Sequence, residues 1–232
     1  MSNITIHRMP NIDAFLNIKV APINGAVVYR GVSNAKYDLI PSVGRWNGPK
    51  DERSNFEKQI FEEFKKRAIG YLTYSPESDW EWLFIAQHHG LPTRLLDWTT
   101  SPLIALFFAL NSECETDYAV YRAGFARSIR SKPEIFLGAD PMSVKSTALV
   151  HPSFVTPRAE RQHSVFSIQE NPWQPLKDDN SIDKFIFPAS SRKEGMRKLM
   201  YFGITNSLLF PGLDSITKDI VFEKDVKLNH HC

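Results

Sequence analysis

The run 102-PLIALFFAL-110 holds nine residues without a charge or an amide. It is too short to span a bilayer, which takes about 20 apolar residues. Ahead of it stand Thr99, Thr100 and Ser101, and a hydroxyl cap followed by Pro102 is a helix start. A second apolar segment, 77-ESDWEWLFIAQHHG-90, is acidic where it begins and is stopped by Gly90 and Pro92, which predicts another helix. Between the two apolar runs lie His88, His89, Thr93, Arg94, Asp97 and Trp98. Read locally, this is a helix end, a short polar link and a well-capped core helix. The competing reading is a site, and composition leaves both open. Arg94 and Asp97, three apart, are candidates for an ion pair. His88 at a helix C-terminus is expected to favour its cationic form. The Pro102 helix start, with the Thr99–Ser101 hydroxyls, is a candidate anion or ribose cradle.

The remaining pattern is α+β, with helices in the first half and short strands in the second. Residues 10–18 read as a short helix within an N-terminal segment 1–24. The β-branched 26-AVVYR-30 reads as a buried strand, followed by a long connection over 32–50. Residues 51–72 place Phe56, Ile60, Phe61, Phe64, Ala68 and Tyr71 on one helical face, with charges on the other. Strands are expected at 118–123, 134–137, 164–168 and 184–187. A Ser-capped helix is expected over 190–203 and a short one over 211–220, ahead of a tail at 221–232. One domain spans the chain, with its core at about 25–220.

Sixteen Phe and five Trp among 232 residues supply a bulky core. Lys and Arg (28) nearly balance Asp and Glu (26), so the charge permits a nucleic-acid partner without arguing for one. The two cysteines, Cys114 and Cys232, suggest no disulfide framework. The opening MSNITIHRMP has no signal-peptide core. A soluble, cytoplasmic protein without a membrane partner is expected.

No dinucleotide fingerprint, P-loop, C-x-x-C or H-E-x-x-H occurs. His230, His231 and Cys232 carry metal-capable atoms at a terminus expected to fray, and no metal is expected. Tyr29-Arg30-Gly31 is more pointed. An arginine leaving a buried strand needs an anion or a carboxylate partner, and the adjacent Gly permits close approach of backbone to a ligand. Arg45 is either a second phosphate cation or a solvated loop charge. In 158-RAERQHSVFSI-168, Glu160 and Gln162 stand just before a strand, where either can meet a sugar hydroxyl or simply face solvent.

The stretches 28-VYRGVS-33, 39-LIPSVGR-45, 86-AQHHGLPTRLLDWTTSPLIALFFA-109, 158-RAERQHSVFSI-168 and 199-LMYFGITNSLLFPGLD-214 together resemble the FRG-domain family. That family is similar to the ADP-ribosyltransferase fold, which implies helices on a split, mostly antiparallel sheet. In that fold an Arg-Gly at the end of an early strand binds NAD. A hydroxyl-rich strand-to-helix segment follows, and a later strand supplies a Glu. Tyr29-Arg30-Gly31 resembles the first element and Thr99-Thr100-Ser101 the second. The third departs from the pattern, because Gln162-His163-Ser164 stands where the Glu is expected.

The resemblance implies a mono-ADP-ribosyltransferase with NAD as substrate, acting as an intracellular toxin in a toxin–antitoxin or phage-defence system. Arg30 would hold the pyrophosphate and Gly31 the nicotinamide amide. Asp97, Gln162 or Glu160 would stabilise the transition state, and His88 would position the ribose or deprotonate the acceptor. Arg45 and Arg94 would grip phosphates. The acceptor is expected to be a nucleic acid, RNA ahead of DNA, with Trp98 or Tyr29 stacking a base, and protein as the alternative acceptor. An antitoxin protein is an expected partner. A non-catalytic nucleotide-binding module and a metal-independent nuclease are the rival readings.

Overall fold

The structure, a computed structural model, describes residues 4–19, 21–112, 115–152, 157–176 and 182–228. Cys114, His230, His231 and Cys232 lie outside these residues. In chain order the elements are β1 (Ile4–Arg8), α1 (Ile12–Leu16), β2 (Ala26–Val32), α2 (Arg53–Ala68), α3 (Asp79–His88), β3 (Leu96–Thr99), α4 (Pro102–Leu110) and β4 (Tyr118–Phe125). There follow β5 (Ser128–Ile129), α5 (Pro133–Leu137), β6 (Ala148–Val150), α6 (Pro157–Arg161), β7 (Ser164–Ile168), β8 (Ile182–Phe187), α7 (Arg192–Tyr201), α8 (Asn206–Leu209) and α9 (Leu213–Leu228).

The fold is α+β. Its strands form one sheet in the order β1-β8-β4-β2-β3-β7-β6-β5. Only the outermost pair at each edge, β1–β8 and β5–β6, is parallel. All eight residues of β4 are buried, because alternate side chains enter two different cores. Tyr118 and Val120 pack toward α4, α1 and α7. Ala119, Tyr121, Ala123 and Phe125 pack on the opposite face against Val28, Trp98 and Val165. A third cluster fills the space between α2, α3 and the β6–β7 end.

The helices follow their local signals. Asn11 caps α1, Ser78 caps α3 and Ser101 caps α4 through their side chains. Gly90 (φ 84°) and Gly203 (φ 79°) stand in the left-handed conformation that ends α3 and α7.

Several expectations are corrected. Ile4–Arg8 is an edge strand rather than part of a helical N-terminal segment, and it is held by pairing with β8, 178 residues away at Ile4↔Ile182. Residues 134–137 lie in α5, not in a strand, with Pro133 at the first turn setting a helical φ. Ser191 begins α7 without a side-chain cap bond; its hydroxyl donates to Pro188 O instead. The short helix expected at 211–220 continues as α9 to Leu228, where a tail was expected from 221. Most consequential, the link after α3 contains β3, an interior strand between β2 and β7.

Candidate functional site

β2 and β3 touch at one ladder position, Tyr29↔Thr99, and then part. Beyond that point Arg30 Nη1 donates to Asp97 O at 2.7 Å, so a guanidinium takes the place of the missing ladder donor. The gap between the two strands is the floor of a cleft of about 790 Å³, within the range of small-molecule sites. Its walls are Gln87–Leu91 from the end of α3, Tyr37 and Arg45 from the connection after β2, Phe108 of α4, and Arg158 and Gln162 from the α6 region.

Arg30 dominates the floor. Its side chain is 19% exposed, and Asp97 Oδ2 lies 3.6 Å from Nη1. A guanidinium has five N–H donors, yet Nε is buried with no partner among the described residues. Burial pulls the Arg30 pKa below the usual arginine value, Asp97 offsets this, and Arg45 adds to the depression. With Arg45 and Arg158, the cleft has three arginines against one carboxylate among its described residues, an arrangement that favours an anion.

Asp97 is held by a chain of hydrogen bonds. Gln87 Nε2 donates to Asp97 Oδ1 at 2.8 Å, and Thr93 Oγ1 donates to Gln87 Oε1 at 2.5 Å. Thr93 is fixed in turn by its backbone N–H donating to Ser42 Oγ at 3.0 Å. The carboxylate is therefore oriented, yet its side chain is 57% exposed and faces the cleft.

His88 lines the same wall. Burial lowers its pKa, with His89 and Arg158 lowering it further. This reverses the expectation of a favoured cation, because desolvation, with His89 and Arg158 alongside, outweighs the helix C-terminus. The neutral imidazole can accept a proton.

Gly31 also has a packing role that its sequence did not suggest. A Cβ there would come within 1.9 Å of Ala105 O and 2.6 Å of Ala109 N. The glycine lets α4 lie directly on β2, and its backbone lines the cleft as a consequence. Tyr29 lines the cleft and packs toward the α4 core.

Other expected site residues lie elsewhere. Arg94 does not reach Asp97 or the cleft. It is buried and bidentate to Glu57, with Nε to Oε1 at 2.8 Å and Nη2 to Oε2 at 2.7 Å. Its Nη1 donates to the Met142 and Pro141 carbonyls at 3.0 and 3.2 Å. The α3–β3 turn carries Arg94 toward Glu57 of α2. Thr100 and Ser101 also miss the cleft. Ser101 Oγ accepts from Ile104 N at 3.4 Å as the α4 cap, and Thr100 borders a separate hollow with Glu160 and His163. Glu160 is therefore not a cleft carboxylate, because it stands exposed on the far side of α6. Thr99 borders the cleft, but its hydroxyl donates to Gln162 O at 2.8 Å. Gln162 is buried with Nε2 donating to Leu209 O at 3.1 Å. Trp98 is 3% exposed and donates from Nε1 to Ser167 Oγ at 2.8 Å, so it is core rather than a stacking platform.

Gln87 and Arg158 were not anticipated as site residues. Gln87 carried a weak signal, standing on the last turn before Gly90. Arg158 carried none, since its place beside the cleft depends on α6 folding back over Phe210, with the guanidinium 4.9 Å from that ring. Among the described residues no three His, Cys, Asp or Glu side chains cluster as a metal would need. No helix among them is long and apolar enough to cross a membrane.

Residues 25–118 match the family model of the FRG domain. Over these residues, less than half of the chain, it is similar to the FRG domain. This FRG segment runs from β2 to the start of β4 and contains Tyr29, Arg30, Gly31, Arg45, Gln87, His88 and Asp97. The matched segment thus supplies the floor and the α3 wall of the cleft, while Arg158 and Gln162 come from beyond the matched residues. No curated protein and no solved structure matches the chain.

Proposed function

We propose that the cleft binds NAD and that the protein is a mono-ADP-ribosyltransferase with an ADP-ribosyltransferase-like fold. The observation that carries this is Arg30, a buried cation at the floor with an unpartnered Nε. Arg30 is set to hold a pyrophosphate, with Arg45 and Arg158 in reach of the same cleft. When bound, NAD supplies an activated ribose whose bond to nicotinamide breaks as the acceptor attaches. Asp97, oriented by Gln87, places negative charge where positive charge develops on that ribose. Gln162 donates to Leu209 O and braces the Thr99 end of β3 through its own carbonyl. His88, kept neutral, accepts the acceptor's proton.

The test is nicotinamide release from labelled NAD in the presence of total RNA, DNA or cell extract. Wild type should release nicotinamide and transfer label, while Arg30→Ala and Asp97→Ala should do neither although folded. Absence of release with every acceptor sinks the reading. The second reading is a nucleotide-binding module without turnover, and the observation favouring it is that Asp97 is the single carboxylate among the described cleft residues and is more than half exposed. Saturable NAD binding without release would establish it. The setting we propose is a cytoplasmic toxin restrained by an antitoxin, with nucleic acid as acceptor. Growth arrest on expression that disappears in Arg30→Ala is the matching observation in cells.

A further inference from the structure

We propose that a recess behind His88 and His89 takes one unpaired base of a single-stranded nucleic acid, and that it is the acceptor subsite. Its role as an acceptor site rests on the ADP-ribosyl-transfer reading, while base binding stands on its own geometry. The recess measures about 210 Å³, and six of its eleven lining residues carry aromatic or imidazole rings: Tyr71, Tyr74, Phe84, His88, His89 and Phe166. His88 and His89 line the main cleft as well, so a group seated in the recess abuts the wall that carries the proposed base.

The lining is aromatic in an ordered way. Phe84 stacks on Phe166 at 5.7 Å, and the His88 and His89 rings meet edge to face at 5.1 Å. Tyr71 is 89% exposed at the mouth. A large ring so exposed beside an aromatic cavity makes a platform for a planar partner.

Cations bracket the recess. On the cleft side stands Arg158. On the other side an apolar groove along α2 shares Tyr71, Leu72, Ile85 and His89 with the recess. Lys58, Lys66 and Arg67 edge that groove, together with Glu62 and Glu63. The two acids are engaged within α2, Glu62 with Lys65 and Glu63 with Arg67. Lys65 also holds Asp79, and with Lys58 and Lys66 the groove rim keeps a small positive excess, three cations against two carboxylates in its lining. Basic groups alternating with aromatic rings suit a single strand, whose phosphates follow the cations while a base turns inward. A duplex keeps its bases stacked and has no ring to offer. A protein acceptor would have little use for cations on both sides of an aromatic recess.

In the transfer step the nicotinamide–ribose C–N bond breaks, and nicotinamide leaves with the bonding pair as a neutral molecule. A nitrogen or oxygen of the base bonds to the same ribose carbon. The proton it gives up passes to His88, which becomes imidazolium.

The test is fluorescence anisotropy of labelled 12-residue homopolymeric RNA and DNA strands, without NAD, run beside nicotinamide release with the same strands. Wild type should bind single strands and bind duplexes of the same length poorly. Tyr71→Ala should weaken binding roughly 5- to 150-fold, the value of one stacked base, with its melting curve unchanged. Tyr71→Trp should restore it. The ratio of RNA to DNA affinity then names the sugar. Equal binding by wild type and Tyr71→Ala, or equal binding of duplex and single strand, overturns the base site. Nicotinamide release with label passing only to protein overturns it too, while leaving the transferase reading intact. Tyr71-dependent binding without release in any condition keeps the base site and sinks the transferase reading.

Discussion

Replacing Arg94 separates its two possible roles, because a phosphate ligand and a buried brace fail differently. Arg94 and Glu57 are 6% and 3% exposed in their side chains and are joined by two hydrogen bonds. Arg94→Ala would strand the buried Glu57 carboxylate of α2 without its partner, and release the Pro141 and Met142 carbonyls. Breaking a buried pair from one side costs about 3–5 kcal/mol. Against a total stability of roughly 5–15 kcal/mol that is a large share. At about 2–4 °C per kcal/mol for a chain of this size, melting should fall by roughly 6–20 °C. Removing both charges, as Arg94→Met with Glu57→Leu, should recover much of the loss. The assay is urea unfolding followed by tryptophan fluorescence, with NAD affinity measured on whatever fraction is folded. The expected result is a lower midpoint, rescue by the double variant, and unaltered affinity per folded molecule. Unchanged stability with lost NAD binding would refute the structural assignment and return Arg94 to the cleft.

Three further outcomes follow from the same geometry. The His88 imidazole should titrate below the ordinary histidine value of about 6.5 in an NMR pH series, and Arg158→Ala should move it up; an unshifted or raised value contradicts the neutral-base role. The folded state resists that proton, so stability contributed here falls as pH drops below about 6.5, and nicotinamide release should fall on the same acid side. Gly31→Ala must displace α4 to relieve a 1.9 Å approach to Ala105 O, costing about 1–3 kcal/mol or more in denaturant unfolding; full stability would show that β2 and α4 do not pack this closely. Asp219 accepts from Asn206 N, Asn206 Nδ2 and Ser207 N at 2.9–3.0 Å. Burial raises its pKa, but these bonds win and hold it below the usual aspartate range. Asp219→Asn should cost about 1–2 kcal/mol near neutrality. The gap to wild type should close only as pH falls through the depressed value, and a gap that persists in strong acid would refute the linkage.

The local sequence determined the helices around the site. Asn11, Ser78 and Ser101 each accept from the backbone N–H three residues on, and Gly90 ends α3. Those contacts span a single turn, so the residue order alone specifies them. Tyr29-Arg30-Gly31 and Asp97 were legible as chemistry for a related reason, since a charged residue beside a buried strand demands a partner wherever the chain goes. A clue to the Glu57 brace was also present, because Glu57 stands one turn before Phe61 on the apolar face of α2.

Tertiary structure decided the rest. β3 is four residues long, too short for its alternation to stand out, and it exists because Leu96–Thr99 pairs with Ser164–Ser167 more than 60 positions away. That pairing, parting from β2 after one rung, opens the cleft and turns Asp97 toward Arg30 while Arg94 turns toward Glu57. It also puts Thr100, Ser101 and Glu160 outside and brings Arg158 in. A strand's side-chain direction is set by its register, and register is fixed by residues that are remote in sequence. Residue types announced which groups must find a partner, and the strand pairing chose which of those residues face one another.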